Sequence, residues 1–332
     1  METKLTTLQD AIRYFSNPVN CREYAVARRW PNGVTCPMCG SAKVKFQEKR
    51  NRWQCSSHHD KRQFTIKTGT IFEDSPLGLD KWLCAMWQVV NCKNGVSSYE
   101  VHRAIGVTQK TAWFMDHRIR LALRMGSSEK LSGEVEVDET FIGGLSRNMH
   151  KDKRESRISG TGGKDKIPVL GLLKRGGEVR TEVVPNRRKK TLDGLVRNHV
   201  AHGSAVYTDS LPSYNDLDSA YMHQVVDHAV EYVRGRVHTN GLENFWSLLK
   251  RGIKGTYVSV EPFHLARYLD EQAFRYNYRE DMNDGDRFDL AVRQIIGKRL
   301  TYAELTGKTP GSPEPLPAQT ATGEAEGFLN LK

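Results

Sequence analysis

Apolar and polar positions divide the chain into a helical first part, a middle part of mixed periodicity and a helical end. Between about residues 76 and 125, apolar residues recur every three or four positions, as in "SPLGLDKWLCAMWQVVNCKNG", which predicts helices. From about residue 133 the period shortens to two in "GEVEVDETFIGG", which predicts a half-buried strand. Helical spacing returns from about residue 240 to residue 295.

The middle part contains further strands and a helix. "IPVLGLLKR" and "EVRTEVVPN" flank the turn "RGGE" and predict a hairpin, whereas "TLDGLVRNHV" predicts a helix. "SAVYTDSL" and "HQVVDHAVEYV" predict two more strands. Strands mixed with helices in this way indicate an α/β fold.

Changes in period and composition predict five segments. They are an N-terminal helical segment (1–31), a Cys-rich strand segment (32–75), a helix–turn–helix-like region (76–128), an α/β domain (129–300) and a C-terminal tail (301–332). From Thr309 the tail is rich in Pro, Ala, Thr and Gly, which is typical of disorder.

The charge of the chain suggests an anionic partner. Its 332 residues carry a formal net charge of +11, and nucleic acid is the commonest partner of such proteins. The alternative is a basic protein without such a partner. The sequence has no run of about 18 apolar residues, so we expect no membrane span.

The cysteines predict a metal site. Six cysteines are too few for a disulfide scaffold of this length, and their clustering favours metal binding in a reducing cytoplasm. Cys36 and Cys39 form a C-x2-C knuckle, and Cys55 is followed by His58 at the same spacing. Two ligand pairs on two tight turns suit tetrahedral Zn²⁺ and leave no open position, so we predict a structural zinc ion. His59 is the alternative fourth ligand.

The segment "VSSYEVHRAIGVTQKTAWFMDHRIR" has the layout of a helix–turn–helix, with Gly106 in the turn. The polar side of its second helix is predicted to present Gln109, Lys110 and Arg118, with Arg120 beyond them. Such a helix can enter the major groove, so we predict that these side chains contact DNA. The alternative is a plain packing role, because many helix pairs share this layout.

Three carboxylates stand at positions suited to a metal-dependent site. Asp138 lies on the alternating strand, whose valines are expected to face the core while its acids line the other face. Asp209 ends an apolar strand, and Glu243 lies in the first turn of a helix. Mg²⁺ prefers carboxylate oxygens, and a pair of such ions supports phosphodiester chemistry. We therefore predict that the three acids converge on two Mg²⁺ ions, for which Mn²⁺ can substitute.

Each acid alone has a plainer interpretation. Asp209, in "TDSLP", is compatible with a turn former. Glu243 is compatible with a residue that complements the helix dipole behind an Asn240 cap. The conjunction of the three acids favours the metal site.

The helix that carries Glu243 also carries positive charge. Lys250 follows Glu243 by seven residues, which is two helical turns, so both lie on one face. We predict that Lys250, Arg251 and Lys254 bind phosphates on either side of the cleavage point. The basic runs at 150–157 and 186–190 fit either DNA contact or solvated loops.

Taken together, these motifs resemble the zinc-ribbon DDE transposases of bacterial insertion sequences, in the ISXO2-like group. The resemblance lies in "CPMCGS", "WQCSSH" and "RQFTIKTGTIFEDSPL", then in "VEVDETFIGG", "VYTDSLPSY" and "HTNGLENFWSLLKRGIKGTY". It spans about residues 35 to 279. The family's first two acids match Asp138 and Asp209, and its third position matches Glu243, with Lys250 as the following basic residue.

Two positions depart from the family pattern or leave it open. The fourth zinc ligand, often Cys in the family, matches His58 here, and this exchange preserves a plausible ligand set. Some relatives use Asn as the third catalytic residue, which leaves Asn240 and Asn244 as alternatives to Glu243.

The resemblance implies a ribonuclease-H-like catalytic domain at 129–300, with a mixed sheet flanked by helices. A zinc ribbon at 32–75 and a small helical DNA-binding region at 76–128 precede it. It further implies binding of double-stranded DNA at the element's terminal inverted repeats, hydrolysis at the 3′ ends, and joining to target DNA. A homodimer or larger assembly on paired ends, at the nucleoid of the bacterial cytoplasm, is implied as well.

Two alternatives remain. One is a related nuclease that cuts DNA without joining it, and the other is a catalytically silent DNA-binding regulator. Three intact acids argue against the second.

Overall fold

The computed structural model describes residues 5–126, 129–143, 166–226 and 238–308. These residues form a helical unit, a three-stranded ribbon and a five-stranded sheet with helices on both faces. The basic run 150–157 and the tail from residue 309 lie outside the described residues, and the predictions for them stay predictions. In the described ranges, no helix combines the length and the apolar character needed to cross a membrane.

Four of the five N-terminal helices begin at a residue whose side chain accepts a free backbone N–H of the first turn, and the third helix begins without such a cap. They are α1 (Leu8–Phe15), α2 (Pro18–Arg29), α3 (Leu79–Asn91), α4 (Ser98–Ile105) and α5 (Gln109–Leu123). Ser97 and Glu100 form a capping box at the start of α4, and Gly106 ends that helix at a φ of +63°. A short turn at Gly106 thus joins α4 to α5, and the assignment of these helices to a helix–turn–helix stays a prediction.

The Cys-rich segment is a small antiparallel sheet. Its strands are β1 (Val44–Gln47), β2 (Arg52–Cys55) and β3 (Gln63–Phe64), in the order β1-β2-β3. Trp53 and Phe64 stack at its centre, with ring centroids 5.9 Å apart. So few apolar side chains stabilise a sheet of this size only weakly, which makes a metal ligand set structurally useful.

The larger sheet is mixed. Its strands are β4 (Glu134–Ile142), β5 (Ile167–Lys174), β6 (Val179–Val183), β7 (Ala205–Asp209) and β8 (Met222–Val226), in the order β6-β5-β4-β7-β8. The hairpin predicted for β5 and β6 is confirmed by their antiparallel pairing. β5 is also antiparallel to β4, whereas β7 is parallel to both β4 and β8. The carboxyl ends of β4 and β7 therefore lie at one edge of the sheet.

Helices cover both faces of this sheet. α6 (Lys189–His199) packs on the face that carries Val135 and Val137. α7 (Asn240–Gly252) and α8 (Leu265–Asn277) pack on the opposite face, which carries Glu136 and Asp138. The predicted alternation of valines and acids is thus confirmed, but the acidic face is covered by a helix instead of facing open solvent.

The last described helices return to the N-terminal unit. α9 (Asp284–Arg293) buries Phe288 in the core of α1 and α3, although its sequence lies within the segment assigned to the catalytic domain. α10 (Tyr302–Leu305) begins with a capping box between Thr301 and Glu304. Residues 302–305 are therefore helical, so the start of the segment assigned to the C-terminal tail (301–332) is ordered.

Candidate active site and zinc site

The sheet brings two of the predicted acids together. Asp138 lies on β4, and Asp209 is the last residue of β7, the parallel neighbour of β4. One carboxylate oxygen each from Asp138, Glu139 and Asp209 lie within 4.8 Å of one another. The site therefore lies at the carboxyl end of β7, beside the middle of β4, and strand ends of this kind are common positions for sites in open α/β sheets.

Crowding and burial oppose the ionisation of Asp138 and Glu139. Burial raises the pKa of Asp138 to about 7, and the charges of Glu139 and Asp209 add to the rise while the Trp246 hydrogen bond opposes it. Burial also raises the pKa of Glu139. Three such carboxylates in one place fit a divalent cation, because a cation would relieve their mutual repulsion and accept their oxygens as ligands.

Glu139 is a member of this group that the sequence did not single out. Tyr214 donates its hydroxyl to Glu139 Oε2 at 2.7 Å, and Arg187 Nη1 lies 3.4 Å from Oε1. Strict alternation assigns Glu139 to the side of the strand away from Asp138, so the period-two pattern passed over it. The only sequence signal was that it directly follows Asp138 in "VDET".

The third predicted acid stands apart from this group. Glu243 lies on the exposed side of the first turn of α7 and is not among the acids that the structure brings within 4.8 Å. Its helix nevertheless contacts the site, because Trp246 Nε1, one turn further along, donates to Asp138 Oδ2 at 2.9 Å. The alternatives Asn240 and Asn244 are also exposed on α7.

The basic residues of α7 lie near the acids or in solvent. Lys250 is half-buried; burial lowers its pKa, and the charge of Asp138 opposes that change. Arg251 and Lys254 are exposed and accessible to a partner. The residue that precedes α7 as its N-cap is Thr239, so Asn240 is not the cap expected from the sequence.

The ribbon gathers four metal-ligating side chains, and the fourth is His59. Cys36, Cys39, Cys55 and His59 each offer one ligand atom within 4.8 Å of the others. Cys36 Sγ lies 3.4 Å from His59 Nε2, and Cys39 Sγ lies 3.7 Å from Cys55 Sγ. Zn–S bonds of about 2.3 Å and Zn–N bonds of about 2.0 Å give separations of this size between ligands of a tetrahedral ion. The donor set therefore fits structural zinc.

The choice of His58 as fourth ligand is not supported by this geometry. His58 is exposed and is not a member of the group, whereas the ring of the adjacent His59 turns inward. The loop after Cys55 thus places its fourth ligand one residue later than the C-x2-H spacing suggests.

Two family models match the chain. The model of the ISXO2-like transposase domain matches residues 130–277, and that of the transposase zinc-ribbon domain matches residues 17–60. A Halobacterium salinarum protein described as an uncharacterized protein in transposable element ISH50 is 30% identical over 257 residues, which is 73% of this chain and 84% of the relative. The chain belongs to the ISXO2-like transposase family.

A second relative of this transposase matches a smaller part of the chain. A Haemophilus influenzae protein described as an uncharacterized transposase-like protein is 35% identical over 104 residues, which is 31% of this chain and 84% of the relative. No solved structure matches the chain. The matched domain contains all three predicted acids.

The second helix of the helix–turn–helix offers DNA only part of the side predicted from the sequence. Lys110 is exposed, with its Nζ 4.8 Å from the centre of the Tyr302 ring, and Gln109 is half-buried and donates to Ser98 Oγ at 2.9 Å. Arg118, in contrast, is buried, and its Nε donates to Leu300 O at 2.9 Å. The prediction that Arg118 contacts DNA is therefore not supported by this structure.

Arg120 is buried on the same helix. Its Nε lies 2.5 Å from Glu271 Oε2 on α8, so its charge is used inside the protein. The polar pattern at the end of α5 reflects a contact between helices. A sequence pattern alone does not distinguish such a contact from a DNA-binding face.

Proposed function

We propose that this protein is a DNA transposase that binds the terminal inverted repeats of its element, cleaves the 3′ ends and joins them to target DNA. The observation that carries the proposal is the carboxylate group of Asp138, Glu139 and Asp209 at the edge of a mixed sheet, inside the family-matched domain. A mixed sheet with helices on both faces also supports a ribonuclease-H-like catalytic domain.

Asp138 and Asp209 are the residues that would hold Mg²⁺ or Mn²⁺. When bound there, a pair of divalent ions supplies Lewis-acid activation of the attacking and leaving oxygens of a phosphodiester. We assign the third protein ligand to Glu243. It lies on the helix whose Trp246 contacts Asp138, and it is exposed where a DNA strand can approach.

The chain's cations would bind and orient the DNA. Lys250 interacts electrostatically with Asp138 and is therefore near enough to bind a phosphate beside the reacting one. Arg251 and Lys254 continue the same exposed surface, and Lys110 and Gln109 stand at the start of α5. Terminal repeats come in pairs, so we propose that a homodimer or larger assembly binds two ends together.

The test is cleavage and strand transfer on duplexes that carry the inverted repeats flanking the reading frame. Wild-type protein with Mg²⁺ should cut the 3′ ends and join a pre-cleaved 3′-OH end to target DNA. Asp138→Asn and Asp209→Asn should retain end binding and lose cleavage and joining by about 10³-fold or more, because each removes a metal ligand.

Asp281→Asn is the matched control, since it changes an exposed acid in the turn after α8. Full activity of Asp138→Asn would remove this residue from the reaction. Cutting without any joined product would favour the related nuclease, and end binding without cutting would favour the DNA-binding regulator.

A further inference from the structure

Two side-chain hydrogen bonds fasten α7 onto the central strand β4. Glu136 Oε2 accepts the backbone N–H of Leu242 at 3.1 Å, and Trp246 Nε1 donates to Asp138 Oδ2 at 2.9 Å. Residues two apart on a strand are separated by about 6.6 Å, and residues four apart on a helix rise by about 6 Å. Because these two spacings are nearly equal, both bonds can be present together, and they fix the position of the helix along the strand.

Two glycines allow the helix to approach this closely. Gly171 on β5 pairs with Asp138, and a Cβ there would lie 2.5 Å from the Trp246 ring. A Cβ on Gly241 would lie 2.4 Å from a methyl group of Leu173 and 2.8 Å from Glu136 Oε2. A side chain at either position would force its neighbours to shift, the Trp246 ring at Gly171 and the ends of the Leu173 and Glu136 side chains at Gly241, so the sequence is adapted to this contact.

The Glu136 carboxylate has charged partners that hold it in place. It is 1% exposed, and Arg175 Nε donates to its Oε1 at 2.9 Å. Arg175 also donates to the carbonyl of His238 at 2.7 Å, just before the helix begins. The N-cap Thr239 makes no side-chain capping bond. Glu136 thus acts from the neighbouring strand as an acceptor for the first turn of α7, where the helix dipole favours a negative charge.

We propose that Trp246 and Glu136 are positioning residues for the metal site. The indole bond fixes the rotation of the Asp138 carboxylate, and the Glu136 bond fixes the register of α7 on the sheet. Glu243 lies between Leu242 and Trp246, the two residues that make these bonds, so its place relative to Asp138 is set by them. A ligand oriented by such partners binds its ion more tightly, by about 10- to 100-fold in well-studied sites.

This inference rests on one part of the proposed function, namely that Asp138 is a metal ligand. The positioning role can be tested by Mn²⁺ binding, without any DNA reaction. Zinc-loaded full-length protein is titrated with Mn²⁺, and the bound fraction is measured by electron paramagnetic resonance. The Mn²⁺ that binds to wild type but not to Asp138→Asn is assigned to the site at Asp138. Trp246→Phe retains the ring and loses the donor. It should weaken this binding about tenfold and raise the Mg²⁺ concentration needed for half-maximal cleavage similarly.

Trp82→Phe is the matched control. Trp82 is 1% exposed and its Nε1 donates to Ser75 Oγ at 3.0 Å, so the substitution removes the same kind of bond in the helical unit. It should leave Mn²⁺ affinity within twofold of wild type. Unchanged affinity in Trp246→Phe would overturn the proposal, as would equal losses in both variants or no Mn²⁺ binding by wild type.

Glu136→Gln tests the second bond. Its amide oxygen can still accept from Leu242, but the charge that faces Arg175 is lost. We expect Glu136→Ala to weaken Mn²⁺ binding about tenfold or more and Glu136→Gln to recover part of that loss. Wild-type affinity in a folded Glu136→Ala would refute the role of Glu136. If the variants show the expected losses of Mn²⁺ affinity but the wild-type protein does not cleave DNA, the positioning role is supported and the proposed function is contradicted.

Discussion

At the scale of single residues, two adjacent histidines in the ribbon have different environments. His59 Nε2 lies 3.4 Å from Cys36 Sγ, whereas the ring of His58 is exposed. We therefore predict that His59→Ala weakens zinc binding and destabilises the ribbon, because only three protein ligands remain and the loop after β2 is no longer held to the ion. His58→Ala is the matched control and should retain one zinc per chain.

Zinc content by atomic emission, with thermal unfolding as a second readout, checks this prediction. Loss of zinc from His58→Ala, together with full zinc content in His59→Ala, would contradict the geometry of the ribbon.

The sequence predicted the three cysteine ligands but chose the wrong histidine. Cys36, Cys39 and Cys55 follow from spacing, because a knuckle is a local structure. The choice between His58 and His59 depends on the path of the loop after β2, which local spacing does not determine. Glu139 was missed because period-two alternation assigns it to the side of β4 away from Asp138, whereas the folded chain brings oxygens of both within 4.8 Å of each other.

At the scale of elements, α5 buries charged side chains that its sequence pattern assigns to an exposed face. Its second half is buried, including the charged side chains of Asp116, Arg118 and Arg120. These charges face α8 and the segment near Leu300, which no local pattern reveals. The sequence therefore predicted the bounds of the helix well, but it included in the DNA-contacting face residues such as Arg118 and Arg120 that are buried inside the protein.

Asp116, on α5, makes the free energy of unfolding of the protein depend on pH. Burial raises its pKa to about 8, with Arg120 opposing the rise and Glu271 adding to it. Its two carboxylate oxygens are buried without a hydrogen-bond partner among the described residues. Between pH 4 and 8 the unfolded chain releases this proton and the folded chain retains it, so the group lowers the free energy of unfolding as pH rises.

We predict that Asp116→Asn removes this part of the pH dependence. The free energy of unfolding of the variant relative to wild type should increase between pH 5 and pH 8, by on the order of a few kcal/mol. Urea unfolding at both pH values measures it, with the exposed Asp281→Asn as control. Parallel pH profiles for wild type and Asp116→Asn would show that Asp116 is ionised in the folded protein.

At the scale of the whole molecule, a buried network joins the helical unit to the catalytic sheet. Glu271 on α8 bonds Arg120, Arg275 and the hydroxyl of Tyr257, and Arg275 Nη1 also donates to Val89 O on α3 at 3.1 Å. Loss of one of these bonds would leave a buried charge unpaired, so the network favours one arrangement of the two units.

The α/β class and most element bounds were predictable because they follow from local periodicity, whereas the mixed sheet was expected only from the family resemblance. The return of α9 to the N-terminal core and the burial of Arg118 were not, because they depend on contacts between residues far apart in sequence. The same holds for Glu136, whose role depends on Leu242, 106 residues further along the chain.

The proposed function requires that Asp138 and Asp209 hold the divalent metal of a DNA-cleaving site. Anomalous diffraction from crystals of the zinc-loaded protein grown with Mn²⁺ tests it most directly. We predict a Mn²⁺ peak within about 2.5 Å of a carboxylate oxygen of each residue, absent in crystals of Asp138→Asn. Mn²⁺ bound only elsewhere, with these two carboxylates free of metal in well-ordered density, would contradict the account.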